Sequence, residues 1–451
     1  MKKYILLKSV YAVLPDYEKP VKTDILIDKT NGFIEKIASG ITDVNSEIVE
    51  IVNDYEGLLV MPGFIDPHVH FRVPGKAEAE DWFTGSLAAL SGGVTTVLDM
   101  PNNNPATTDE AALKLKLDHV RQNSLINYGL FGGLTSTNLE FLLSNPDIKA
   151  IKVYMASTTG DLLMNNIRNL NFADRRKVFC FHAEDDATIK NNEVAEGKIT
   201  GNITDPWQHS KIRSESAALK ATREVIEMYT KTGGNFHVAH VSTFGEMEAL
   251  ENSGVSFECA PHHLFCSTDD YNQGGFLWKC NPPLREPATQ NLMLKALFNG
   301  KIQMIATDHA PHPLADKLLT NKTNLKTPAS GIPGLEAGSH LILNEMAAGK
   351  ISISYAAKIL STNAALRFNI EKRGVIKEGY FADLAIVNTS KIWTFQHDDV
   401  FSKCGWSPFL NFSFKAKVVA TFVNGHEFKV KNLKSMSTIS INENSPIARQ
   451  V

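Results

Sequence analysis

Apolar and polar positions alternate in short pieces over residues 1–58, in "YILLKSVYAV", "DILIDKTNGFIEKIAS" and "SEIVEIVNDYEGLLV", interrupted by Gly, Asp and Asn. A period of two turns one face of a strand inward and the other toward water, so these pieces predict strands and hairpins. The same texture returns after about residue 370, in "GVIKEGYFADLAIVN" and "AKVVATFVNGHEFKV". Two β-rich flanks predict one small β-sandwich domain built from both ends of the chain, residues 1–58 and 369–451, around a central domain over 59–368.

The middle has a different rhythm. Eight strand-like apolar runs follow one another: "LLVMPGFIDPHVH", "GVTTVLDMPNN", "INYGLFGGL", "IKAIKVYMAS", "KVFCFHAED", "NFHVAHVST", "VSFECAPHHLF" and "KIQMIATDHAPH". Between them lie stretches such as "TDEAALKLKLDHVRQ" and "SESAALKATREVIEMYTKT", whose apolar residues recur at three- and four-residue spacing, the mark of an amphipathic helix. Eight βα units in series predict an α/β fold of the TIM (β/α)8 barrel type. An open doubly wound sheet would place a Gly-rich phosphate loop after the first strand, where this chain has His-Val-His.

Polar residues collect at the C-terminal ends of these runs: His68 and His70, Asn102, Lys152, His182, His240, then Asp308 and His312. In a barrel that end is the catalytic face, so residues remote in sequence converge on one mouth. His68 and His70 are two apart on a strand and point the same way. A lone histidine at a strand end is more often a satisfied core residue than a ligand; four of them with an aspartate, all at one end of a barrel, form a metal-binding set. Imidazole and carboxylate donors suit zinc, manganese or iron, with zinc the usual choice for hydrolysis. Lys152 reads either as a strand-end lysine in a salt bridge or, facing inward among ligands where a cation is costly, as a carbamate able to bridge two ions.

Composition narrows the partners. The chain has 451 residues, 43% hydrophobic, with 46 basic and 49 acidic side chains and a formal net charge of −3. No run of one sign marks a nucleic-acid or membrane surface, so the expected partner is a small-molecule substrate, with no nucleic acid and no membrane. Five widely spaced cysteines, Cys180, Cys259, Cys266, Cys280 and Cys404, suit reduced thiols and a cytoplasmic location. The opening "MKKYILLKSVYAVLPDY" is interrupted by Lys8 and reads as a strand, not a leader, and no run has the length of a membrane span.

The stretches "GFIDPHVHFR", "DMPNNNP", "IKVYMAS", "HAED", "HVAHVST", "APHHLF", "NPPLR" and "ATDHAPH", in that order, resemble those of the amidohydrolase superfamily and, within it, the dihydroorotases. The resemblance spans essentially the whole chain, including "RGVIKEGYFADLAIVN". It implies that His68 and His70 hold one metal with Asp308, that His182 and His240 hold a second, and that carbamylated Lys152 and a hydroxide bridge two zinc ions. Asp308 would also shuttle the proton. Arg72, Asn102 and His312 would bind the substrate carboxylate and ring, with Asn281 and the backbone around Ser330 and Gly331. The implied reaction is the reversible cyclisation of N-carbamoyl-L-aspartate to L-dihydroorotate in pyrimidine biosynthesis, with a homodimer as the assembly considered.

Asn103 is the alternative to Asn102, since "MPNNNP" is also turn chemistry. Thr158 and Thr159 read as a substrate loop or as a plain β-to-α connection. The chain departs from many relatives in placing Val73, Pro74 and Gly75 after "HVHFR". Dihydropyrimidinase (hydantoinase) and allantoinase are the rival activities. They resemble one another in a tyrosine five residues after the bridging lysine, where this chain has Ser157, and in lacking an arginine after His-x-His. A non-catalytic partner of aspartate transcarbamoylase is a further rival, disfavoured by a complete ligand set.

Overall fold

The computed structural model describes residues 3–42, 48–157, 162–164, 167, 170, 172–196, 205–319, 327–436 and 447–451. Among the described residues, seven strands run parallel and side by side in chain order: Phe64–Val69, Val94–Asp99, Asn127–Gly133, Ile148–Tyr154, Val178–His182, Phe236–Val238 and Ser256–Phe257. These are the first seven apolar runs. The eighth forms no ladder of its own, but Ile305 bridges to Cys259 beside the seventh strand and His309 bridges to Val69 of the first. Cys259 N–H donates to Met304 O at 3.0 Å and His70 N–H to His309 O at 2.8 Å, and these bonds close the (β/α)8 barrel.

Helices pack outside, as their periodicity requires. Glu215–Thr232 buries Ala217, Ala218, Ala221, Thr222, Val225 and Met228, all at three- or four-residue intervals or adjacent to one. It stops at Gly233, left-handed at φ 63°, whose N–H donates to Tyr229 O. Glu110–Asn123 starts where the Asp109 carboxylate accepts Ala112 N–H. Phe172, Phe179, Phe181 and Phe236 pack mostly edge to face with centroids 4.9–6.1 Å apart. Burying each such ring stabilises the barrel by about 1.5–3 kcal/mol.

Both ends of the chain share one mixed sheet, in the order His426–Lys429, Lys417–Val423, Leu384–Asn388, Leu59–Pro62, Tyr4–Ala12, Val21–Asp28, Phe33–Ala38, with Val49–Val52 also on Tyr4–Ala12. Ile5, Ile25, Ile27, Leu384, Ile386 and Phe422 meet in its core, so the small domain does join the two flanks. Its edge differs from the expected one. Leu59–Pro62, read as the start of the barrel, pairs with Tyr4–Ala12 and Leu384–Asn388 instead. The change of sheet falls at Gly63, where a Cβ would stand 2.5 Å from the Thr95 side chain. Tyr128 N–H donates to Arg449 O and Val451 N–H to Tyr128 O, which adds residues 449–451 to the barrel's third strand.

Candidate active site

The C-terminal ends of the barrel strands surround a cavity of about 380 Å³ lined by His68, His70, Arg72, Asn102, Lys152, Tyr154, His182, His240, Asn281, Asp308, Ala310, Ser330 and Gly331. Eleven of the twelve residues singled out in the sequence are in that lining. The twelfth, His312, sits behind it, its Nε2 3.1 Å from Arg72 Nη2 and 3.1 Å from Ser330 O. Asn103 points away and accepts from Lys116 Nζ at 2.8 Å, so Asn102 is the cavity residue of the pair. Thr158 and Thr159 lie outside the described residues.

Parallel register staggers Lys152 and His182 by two residues on neighbouring strands. Lys152 stands opposite Cys180, and Tyr154 opposite His182. Asp66 of the first strand accepts the Thr307 N–H and hydroxyl, and so pins the eighth segment one residue before Asp308. Burial pushes the Asp66 carboxyl up to about 6. Asp99, paired with buried Lys116, accepts Phe71 N–H at 2.7 Å and orients the turn between His70 and Arg72. Arg72, His240 and Asp308 hold left-handed φ values of 65°, 38° and 48°. Such backbone is unfavourable for non-glycine residues and persists where neighbours over-determine it.

Three of the four imidazoles are oriented by an acceptor on the outer nitrogen, while His240 Nδ1 is buried with no hydrogen-bond partner among the described residues. His68 Nδ1 meets Glu258 Oε1 at 2.5 Å, His70 Nδ1 meets Asn102 Oδ1 at 2.7 Å, and His182 Nε2 meets Glu184 Oε2 at 2.7 Å. With those nitrogens donating, the inner ones carry lone pairs. His68 Nε2 and His70 Nε2 then face Asp308 Oδ1 at 3.3 and 3.0 Å, and His182 Nδ1 faces His240 Nε2 at 3.0 Å. Burial lowers His70 to about 3 and also lowers His182 and His240, which keeps the rings neutral. Burial alone would raise Asp308, but His68 and His70 outweigh it and hold the carboxyl well below its usual range. Lone pairs of neutral imidazoles turned on an anionic oxygen repel unless a cation lies among them, so this donor set fits a metal ion.

Two buried basic residues complete the cavity. Lys152 is 1% exposed, and its Nζ, 3.3 Å from His68 Nε2, makes no ion pair among the described residues. Arg72 is 6% exposed; its Nε donates to Pro311 O at 2.9 Å, and it likewise has no carboxylate partner among the described residues.

Residues 59–428 match the model of the amidohydrolase family. The chain belongs to the amidohydrolase family. Among its relatives, a dihydroorotase of Halobacterium salinarum is 34% identical over 385 residues, covering 83% of this amidohydrolase and 87% of the relative. A dihydroorotase of Methanosarcina acetivorans is 34% identical over 409 residues, 86% and 84% of the two chains. An allantoinase of Escherichia coli is 30% identical over 395 residues, 83% and 85%. In three dimensions the amidohydrolase superposes on an L-hydantoinase (dihydropyrimidinase) from Arthrobacter aurescens with a TM-score of 0.85 at 24% identity, covering 94% and 95% of the chains.

Four site residues escaped the sequence reading. Glu258 ties His68 to His237, whose Nε2 lies 3.2 Å away. Glu184 receives the buried Arg213 guanidinium beside His182, and Arg213 Nη1 donates to Ser157 O at 3.0 Å. Tyr154 lines the cavity with a buried hydroxyl that has no hydrogen-bond partner among the described residues. Tyr154 was accessible to reasoning: two residues after Lys152 on a strand, it must face the same side.

Proposed function

We propose that the chain is a dihydroorotase, interconverting N-carbamoyl-L-aspartate and L-dihydroorotate in pyrimidine biosynthesis. The observation that carries this choice is Arg72, a buried guanidinium at the cavity wall that forms no ion pair with a carboxylate among the described residues. A buried cation without a counterion favours an anionic ligand, and a guanidinium pairs with a carboxylate in bidentate fashion. Dihydroorotate presents one carboxylate, which hydantoin, dihydrouracil and allantoin lack.

His68, His70 and Asp308 would hold one divalent ion and His182 and His240 a second, zinc by donor chemistry, with carbamylated Lys152 between them. A buried ammonium at Lys152 would lack a counterion among the described residues, whereas the carbamate is an anion suited to two cations. Such ions supply Lewis-acid polarisation of the ring carbonyl and acidify water. Arg72 holds the substrate carboxylate, while His312 and Ser330 back it. In the ring-opening direction Asp308, anionic at neutral pH, accepts the proton of the attacking water. That oxygen bonds to the ring carbonyl carbon, the C–N bond breaks, and Asp308 returns the proton to the departing nitrogen. Ring closure runs the same transfers in reverse. The reading includes a homodimer and a cytoplasmic location, in keeping with five cysteines that form no disulfide.

Turnover measured side by side on dihydroorotate, dihydrouracil, hydantoin and allantoin tests the assignment. Dihydroorotate is expected to be the preferred substrate, with activity abolished by chelation. Faster turnover of any of the other three would move the assignment to that activity.

A further inference from the structure

Beside the cavity wall, His262 and His263 of the short helix Pro261–Phe265 meet Cys280, the residue before cavity-lining Asn281. All three side chains are buried, at 2%, 2% and 1% exposure, and a ligand atom from each lies within 4.8 Å of the others. None of them lines the catalytic cavity.

The hydrogen bonds leave this cluster unsatisfied. His263 Nε2 and Cys280 Sγ both direct a proton to Pro282 O, at 3.0 and 3.1 Å. His263 Nδ1 must then carry a lone pair, and it is buried with no partner among the described residues. His262 Nε2 is likewise buried without one. Burial lowers His262 to about 4 and His263 well below its usual value, so both rings are neutral and can donate electron pairs. Unpaired buried nitrogens cost stability, and two of them beside a thiol have the donor chemistry of a Cys-His-His site.

We propose that His262, His263 and Cys280 form a second metal site, separate from the catalytic donors, that takes a thiophilic divalent cation of the zinc class. Binding releases the Cys280 thiol proton to solvent, forms a metal–sulfur bond, and leaves the fourth tetrahedral position to water. The ion ties the Pro261–Phe265 helix to residue 280 and thereby fixes the backbone that carries Asn281 into the cavity.

Cobalt is the probe, because the cavity donors are nitrogen and oxygen alone and give no thiolate-to-cobalt charge-transfer band. The full chain, produced in zinc-depleted, cobalt-supplemented medium, is expected to show that near-ultraviolet band. It should disappear in Cys280→Ser, which should also carry one ion per chain fewer, and persist in His182→Ala, which disables the catalytic donors. Absence of the band in the unaltered chain, or an unchanged band in Cys280→Ser, overturns the proposal. Should Cys280→Ser not fold, the unaltered chain and His263→Gln decide on the same criterion. The band is independent of turnover, so loss of the dihydroorotase reading would leave this result standing.

Discussion

Arg72 and Glu258 show how much of the site one side chain can carry. Replacing Arg72 by alanine removes the only guanidinium among the described residues that line the cavity and leaves the substrate carboxylate without its counter-charge. A loss of about 2–5 kcal/mol follows from truncating one partner of a buried charged pair. Steady-state kinetics on dihydroorotate should therefore show kcat/KM down by about one and a half to three and a half orders of magnitude, mainly through KM, with metal content unchanged. Glu258→Gln acts on the metal instead. It weakens the acceptor that orients His68, and outer partners of this kind are worth about 10- to 100-fold in metal affinity. Competition with a chromogenic chelator measures this, and an affinity equal to that of the unaltered chain would rule out the orienting role. At this scale the residue types were legible because ligand chemistry is local: His-x-His on a strand already implies two lone pairs on one side. Glu258 was not, since it reaches His68 from the end of the seventh strand, across the eighth segment and 190 positions along the chain.

At the scale of elements, one buried lysine gathers three carbonyls around the segment Ala329–Gly331. Lys317 Nζ donates to Lys279 O, Ala329 O and Gly331 O at 2.8, 3.0 and 2.9 Å. Gly331 must be glycine: its φ is 152°, and a Cβ would stand 2.3 Å from Ala310 O. Lys317→Met takes the donor from the Ala329 and Gly331 carbonyls, each at a cost of about 1–3 kcal/mol, while Lys279 O keeps the Gly331 N–H. Thermal unfolding should shift down by several degrees and KM should rise, because Ser330 and Gly331 line the cavity, while metal content stays the same. Seven barrel strands were readable from apolar runs, and the helix Glu215–Thr232 from its spacing. The eighth segment is held by isolated bridges and side-chain bonds to Asp66, features with no period to detect. Leu59–Pro62 was misassigned for a related reason: an apolar run does not record which sheet supplies its hydrogen bonds.

The whole molecule buries an unusual number of neutral imidazoles, and this sets its response to acid. Burial pushes His70 down to about 3 and His340 to about 4, and it also lowers His182, His209, His240 and His312. An unfolded chain protonates these groups near their ordinary value of 6.5 while the folded chain keeps them neutral, so between those limits the unfolded state binds more protons. The stabilisation is complete above pH 6.5 and is lost as pH falls toward 4, by up to about 1.4 kcal/mol per pH unit for each such group. Urea midpoints should therefore fall steeply between pH 6.5 and 4.5; a level profile would contradict neutral burial. Asp308 and Glu184, whose folded values are depressed, add to the loss only below the ordinary carboxylate range.

Local chemistry and periodicity are properties of the chain itself. They specified a barrel inside a shared β domain, a catalytic face at the strand ends, and the side chains that meet there. Three-dimensional packing alone decided which outer groups orient those side chains, where the chain passes between sheets, and that residues 449–451 return to the barrel. It also gathered His262, His263 and Cys280, whose contact joins positions 263 and 280 across three short helical segments. The division has one physical source: a strand's alternation acts between residues two apart, whereas an ion pair, a sheet seam or a metal cluster depends on distances that exist only after the barrel has closed.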